Sequence, residues 1–208
     1  MSTEIGICGA VLAGGKSQRM GAEKAFIKIG KTTLIERAIQ TMKSVISNPM
    51  IITNEPEKFE YLNLQLHRDI IPDSGPLGGI YTALEYATKS HVLILACDMP
   101  SVTTKIVQEL YARGIHHDIL VLDAGFGVEP LCAVYNRRCT PFIKRQIDQG
   151  KLKVTDFYQN LNVKTLNREE IDDSIPGNWF FNINTPADKL LAEKVFKQGD
   201  VQAGIKDH

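Results

Sequence analysis

From the N-terminus to about residue 125, apolar runs alternate with amphipathic stretches, the pattern of buried strands separated by helices that cover a parallel sheet. Ile5 to Leu12 reads as a buried strand, and Thr32 to Ile46 places Leu34, Ile35, Ala38, Ile39, Met42, Val45 and Ile46 on one helical face. Met50 to Thr53 and Leu64 to Leu66 read as short strands. A loop from Asp69 to Pro76 follows, then a helix carrying Leu77, Ile80, Tyr81 and Leu84. Val92 to Cys97 is apolar throughout, as a strand covered on both faces must be, and Ser101 reads as the N-cap of a helix that turns Val102, Ile106, Val107 and Leu110 inward.

Beyond the strand Ile119 to Leu122 the pattern loosens. Leu131 to Tyr135 reads as a strand, Phe142 to Gln149 as a helix ended by Gly150, and Val163 to Leu166 as a short strand. Neither an internal repeat nor a linker interrupts the chain, so residues 1–208 are expected to form a single α/β domain. Gly199 to His208 is polar enough to read as a disordered tail.

Composition narrows the class. At 208 residues, 43% of them hydrophobic, the chain can bury one sizeable core but not two. Lysine plus arginine balances aspartate plus glutamate at 24 each, and no basic stripe breaks that balance, which argues against a nucleic-acid or membrane surface. The longest apolar run falls far short of the roughly 20 residues that span a bilayer, and the start Met-Ser-Thr-Glu lacks the basic and apolar regions of an export signal. Four cysteines without a Cys-x-x-Cys pair fit reduced thiols in the cytoplasm and give no zinc site.

Chemistry concentrates at the ends of the expected strands. The first strand runs into Leu12-Ala13-Gly14-Gly15-Lys16-Ser17-Gln18-Arg19-Met20-Gly21, with Lys24 three residues on. Paired glycines let backbone N–H groups approach phosphate oxygens, and the adjacent cations neutralise their charge. A flexible surface turn is the bland alternative. Ala10 to Ser17 also resembles a Walker A loop with alanine for the first glycine, but that register would make a cradle of Val11, Leu12 and Ala13, which continue the strand.

Cys97-Asp98-Met99-Pro100 leaves the most apolar strand at its carboxyl end, where ligands collect in open α/β sheets. A hard cation such as Mg²⁺ takes one or two carboxylates plus substrate phosphates, so Asp98 reads as its ligand; a helix cap is the alternative, but Ser101 fills that role. Asp69, Asp73 and the turn Gly75-Pro76-Leu77-Gly78-Gly79 read equally as ligand contacts or loop geometry, and Asn54 as a base contact or a turn residue. Asn182 and Asn184, two apart on an extended segment, point to one side and offer donors and acceptors to a polar ligand. In contrast, Thr185-Pro186-Ala187-Asp188 is explained by helix capping alone. Covalent catalysis has no evident nucleophile; glycines, cations and carboxylates at strand ends suit phosphoryl or nucleotidyl chemistry.

The glycine loop with Lys24, then Gly75-Pro76-Leu77-Gly78-Gly79-Ile80, Cys97-Asp98-Met99-Pro100, Glu129-Pro130-Leu131 and Asn182-Ile183-Asn184-Thr185-Pro186, occur in the order shown by the GT-A-like nucleotidyltransferases. Within them the chain resembles the molybdenum cofactor guanylyltransferases. The resemblance implies a Rossmann-like three-layer nucleotidyltransferase fold with a mostly parallel central sheet. It also implies Mg²⁺-dependent transfer of GMP from GTP to a molybdopterin-type acceptor, with pyrophosphate released.

By the same resemblance Leu12, Ala13, Gly14 and Gly15 line the nucleotide pocket, Arg19 and Lys24 meet phosphates, and Asp98 holds Mg²⁺. Asn54 and Asp69 contact the nucleotide, and Asn182 and Asn184 face the pterin. Transient contact with cofactor-delivering or molybdoenzyme-maturation proteins would follow from such a role. Two departures stand out: Glu23 precedes Lys24 where aspartate is common, and Gly78 stands where alanine is common. The alternatives are another nucleotide or acceptor (cytidylyl transfer to molybdopterin, or a sugar- or cobinamide-phosphate), a non-catalytic nucleotide-binding protein, and the P-loop hydrolase.

Overall fold

The computed structural model of the chain describes residues 4–14, 24–123, 125, 127–171, 183 and 188. Its centre is the N-terminal apolar run, strand β1 (Glu4–Leu12), whose last residues are fully enclosed. A small hairpin, β2 (Lys28–Ile29) and β3 (Thr32–Thr33), turns at Gly30, which holds a φ of +64° that a side chain would resist. Helix α1 (Leu34–Lys43) begins at Thr33, whose hydroxyl accepts from the Glu36 amide while the Glu36 carboxylate accepts from the Thr33 amide at 2.8 Å. Then come β4 (Met50–Ile52), β5 (Leu66–His67), α2 (Gly75–Tyr86), β6 (Lys89–Ala96), α3 (Thr104–Arg113), β7 (Ile119–Asp123), β8 (Val128–Asn136), α4 (Thr140–Asp148) and β9 (Val163–Leu166).

Seven strands form one sheet in the order β5-β4-β1-β6-β8-β7-β9. All its pairings are parallel except those of β8, which runs against both neighbours. On one face, Ile35, Met42, Ile106 and Leu110 from α1 and α3 close over Val11, Leu93 and Leu95. On the other, Leu77, Ile80, Leu84 and Ile143 from α2 and α4 cover Leu12, Ile94, Val121 and Tyr135. Each fully enclosed leucine or isoleucine contributes about 1.5–3 kcal/mol, so the two apolar layers clamp the sheet as a rigid platform. The expected α/β class and three-layer arrangement are those observed.

Local differences have local causes. The third short strand is Leu66–His67 rather than Leu64 to Leu66, because a 3₁₀ turn over Glu60–Leu62 and left-handed Asn63 (φ +51°) delay the extended backbone. Helix α3 is capped by Thr103, whose hydroxyl accepts from the Ile106 amide, and not by Ser101, which lies in the preceding turn. Among the described residues, no helix is long and apolar enough to cross a membrane, and all four cysteines are free thiols. The tail from Gly199 to His208 lies outside the described residues.

Candidate functional site

The carboxyl ends of β5, β4, β1 and β6 share one edge of the sheet, and the start of β8 reaches the same edge because β8 is reversed. Strand β1 is tied to both neighbours as it ends: the Ala13 amide donates to the Ile52 carbonyl at 2.8 Å, and the Cys97 amide to the Leu12 carbonyl at 3.0 Å. Leu12 and Ala13 are therefore fixed and buried, with exposed Gly14 above them. Among the described residues, a Cβ at Gly14 would meet no atom within 4 Å. Because Val11 and Leu12 are ladder residues paired on both sides, they cannot form the loop that a Walker A register demands.

Asp98 stands two residues past the end of β6. Its Oδ2 accepts from the Lys24 ammonium at 3.0 Å, with the two side chains 23% and 22% exposed. This pair is shielded enough to be electrostatically strong yet open to a ligand from above. The Asp98 carbonyl accepts from the Ile183 amide at 3.1 Å, and Ile183 packs on Ile27, Ile29 and Leu34. That bond fixes the residue between Asn182 and Asn184 beside Asp98, although Gly15, Arg19, Asn182 and Asn184 themselves lie outside the described residues.

On the β4 and β5 side, Asn54 and Asp69 bind each other reciprocally. The Asn54 amide group donates to Asp69 Oδ2 at 2.8 Å, and the Asp69 backbone N–H donates to Asn54 Oδ1 at 3.2 Å. Arg68 donates to the Asn54 carbonyl and pairs with Glu57 at 3.0 Å. Burial pushes the Asp69 carboxyl above its ordinary range, and the Asn54 bond partly restores it.

Helix α2 packs closely beneath: a Cβ at Gly79 would stand 3.4 Å from Leu12 and 3.9 Å from the Asp69 carboxylate. At Gly78 a Cβ would meet Ser74 Cβ at 2.8 Å, so the glycine there follows from packing. Asp73 is exposed and left-handed (φ +56°), which makes it a turn residue.

Glu129, which the sequence shows only as part of a motif, is the further residue brought here by the fold. Burial raises its carboxyl above the ordinary range, the Leu131 amide opposes that by donating to Oε1 at 3.1 Å, and the charge of Asp98 adds to the rise. Its proximity follows from the β6–β8 pairing, which sequence pattern alone does not disclose. Among the described residues, no group of three metal-binding side chains occurs. The donor set of one or two hard carboxylates nevertheless fits a Mg²⁺ ion completed by substrate phosphates, and does not fit a closed protein cage.

The chain is similar to known proteins over most of its length. The family model of the MobA-like NTP transferase domain matches residues 9–163. The molybdenum cofactor guanylyltransferase of Desulfosudis oleivorans is 34% identical over 201 residues, covering 94% of this chain and 98% of that protein. A relative from Carboxydothermus hydrogenoformans, named "probable molybdenum cofactor guanylyltransferase", is 36% identical over 188 residues, covering 90% of this chain and 95% of its own. Among solved structures, the molybdopterin-guanine dinucleotide biosynthesis protein A of Archaeoglobus fulgidus superposes with a TM-score of 0.80 at 27% identity, covering 91% of this chain and 98% of that one.

Proposed function

The chain belongs to the MobA-like NTP transferase family, and on that premise we propose that it transfers GMP from GTP to molybdopterin, forming the guanine dinucleotide cofactor and releasing pyrophosphate. The observation that carries this reading is the Lys24–Asp98 pair, 3.0 Å apart at the sheet edge where β1 ends in exposed Gly14. A cation and a carboxylate held together at the mouth of a glycine turn match the needs of a magnesium triphosphate, whose charges both must meet.

In the reaction, a phosphate oxygen of the acceptor attacks the α-phosphorus of GTP. The bond from that phosphorus to the β-phosphate oxygen breaks, and its electron pair leaves with pyrophosphate. The protein's contribution is positioning and charge neutralisation rather than covalent chemistry. Lys24, with Arg19, neutralises charge that builds on the departing pyrophosphate.

The backbone of Leu12, Ala13, Gly14 and Gly15 approaches the nucleotide, and Asn54 with Asp69 holds its base and sugar end. Asn182 and Asn184 are assigned to pterin binding. Asp98 would hold Mg²⁺, which would supply Lewis-acid polarisation of the phosphates when bound.

The test incubates the protein with Mg²⁺, molybdopterin and GTP, CTP or ATP in turn, and identifies products by mass. Pyrophosphate and the guanine dinucleotide are expected with GTP. Product with CTP alone would reassign the base, whereas GDP and orthophosphate without pyrophosphate would mark a hydrolase.

A further inference from the structure

The β6–β8 ladder pairs His91 with Asn136 and Leu95 with Cys132, one register throughout. Beyond Leu95 and Cys132 the two strands run on to the same edge, to Asp98 from β6 and to Glu129 in β8, where the charge of Asp98 reaches the Glu129 carboxyl. Glu129 pairs with Leu122 of β7, next to the Val128–Asp123 pair, so it is held from the far side as well.

The order of strands then gives the edge a direction. The Asn54–Asp69 pair lies over β4 and β5, Lys24 and Asp98 over β1 and β6, and Glu129 beyond them over β8. A nucleotide with its base at the first pair and its phosphates at the second has already filled the β5 to β6 half. The acceptor must then approach from the β8 side.

We propose that Glu129 is an acceptor-binding residue: its carboxylate accepts an N–H or O–H of the pterin substrate close to the phosphate that attacks. This rests on the reading of the site as a guanylyltransferase. The chemistry follows from charge. A third charged group beside a phosphomonoester would repel it unless the same substrate offered the carboxylate a donor, and a partly buried carboxylate is costly to leave without one. The Leu131 amide engages Oε1 and orients the group, and the other oxygen is the one assigned to the acceptor. A reduced pterin carries several ring N–H donors, which makes it a suitable partner.

The experiment compares wild-type protein with Glu129→Gln and Glu129→Ala. Glutamine keeps the volume and an acceptor for the Leu131 amide while removing the charge. Measured quantities are the KM for molybdopterin, the affinity for GTP by calorimetry, and the thermal midpoint. Loss of a charge-assisted hydrogen bond should raise the acceptor KM roughly 10- to 100-fold in both variants, with GTP affinity unchanged and the midpoint of Glu129→Gln no lower than wild type.

An acceptor KM unchanged in Glu129→Gln overturns the proposal, as does a parallel loss of GTP affinity, which would move Glu129 to the nucleotide half. Absence of transfer by the wild-type protein is a separate outcome: it would overturn the guanylyltransferase reading, and the acceptor assignment with it.

Discussion

Asp98→Asn removes one charge from the centre of the site without changing its shape. Lys24 stands 3.0 Å from Oδ2, and at an effective dielectric of about 20 the gross attraction is about 5.5 kcal/mol. Desolvation and side-chain ordering cancel much of that, leaving a net charge-assisted bond of about 1.5–3 kcal/mol. Asparagine still offers Lys24 a neutral acceptor oxygen, so the stability loss should be about 1–2 kcal/mol, lowering the thermal midpoint by about 2–8 °C in a domain of this size.

Transfer should suffer more. Asp98 would act on the phosphates through the Mg²⁺ it holds, and loss of one preorganised element of such charge stabilisation costs about 10²–10³ in turnover, beyond what the stability change explains. Pyrophosphate release with GTP, Mg²⁺ and molybdopterin, run beside a thermal melt, separates the two effects. Turnover within tenfold of wild type, together with the expected fall in midpoint, would make the ion pair a structural clasp and refute the assignment.

Asn54→Ala takes from Asp69 the bond that opposes its burial, so the carboxyl should move further up. Nucleotide affinity, if it needs the ionised form, should then fall off at a higher pH than in wild type; GTP titrations from pH 5 to 8 would show the displaced profile, and superimposable curves would contradict it. Glu129 has a carboxyl raised by burial, so its ionisation weakens the fold as pH climbs through that raised value and has no effect below the ordinary carboxylate range. Glu129→Gln should therefore melt at or above the wild-type temperature at pH 7–8, and the two melts should converge near pH 4.

Much of this architecture is legible without coordinates. Runs such as Val92 to Cys97 announce buried strands because no polar position interrupts them, and Lys24 and Asp98 declare themselves by charge beside glycine or at a strand end. The sheet order and the reversal of β8 are another matter. Apolar periodicity gives an element's type but not its partner, so nothing in Leu131 to Tyr135 tells which way the strand runs.

Glu129 was hidden for that reason, since its nearness to Asp98 exists only through antiparallel pairing. Ser101 and Thr103 both bear hydroxyls, so the sequence alone does not choose between them as the cap of α3, and only backbone geometry selects Thr103. Gly78 shows the converse: a departure from the family pattern that sequence cannot explain becomes a steric necessity beside Ser74.

The single reversed strand has a bearing on how such a protein can diversify. With β7 running toward the reactive edge and β8 running away from it, the connection between Asp123 and Val128 is a short hairpin whose two feet stand at that edge. Changes in its length or composition would remodel the wall met by an incoming substrate, while the parallel strands that grip the triphosphate keep their register. One half of the molecule can thus be tuned to new recipients without disturbing the donor half.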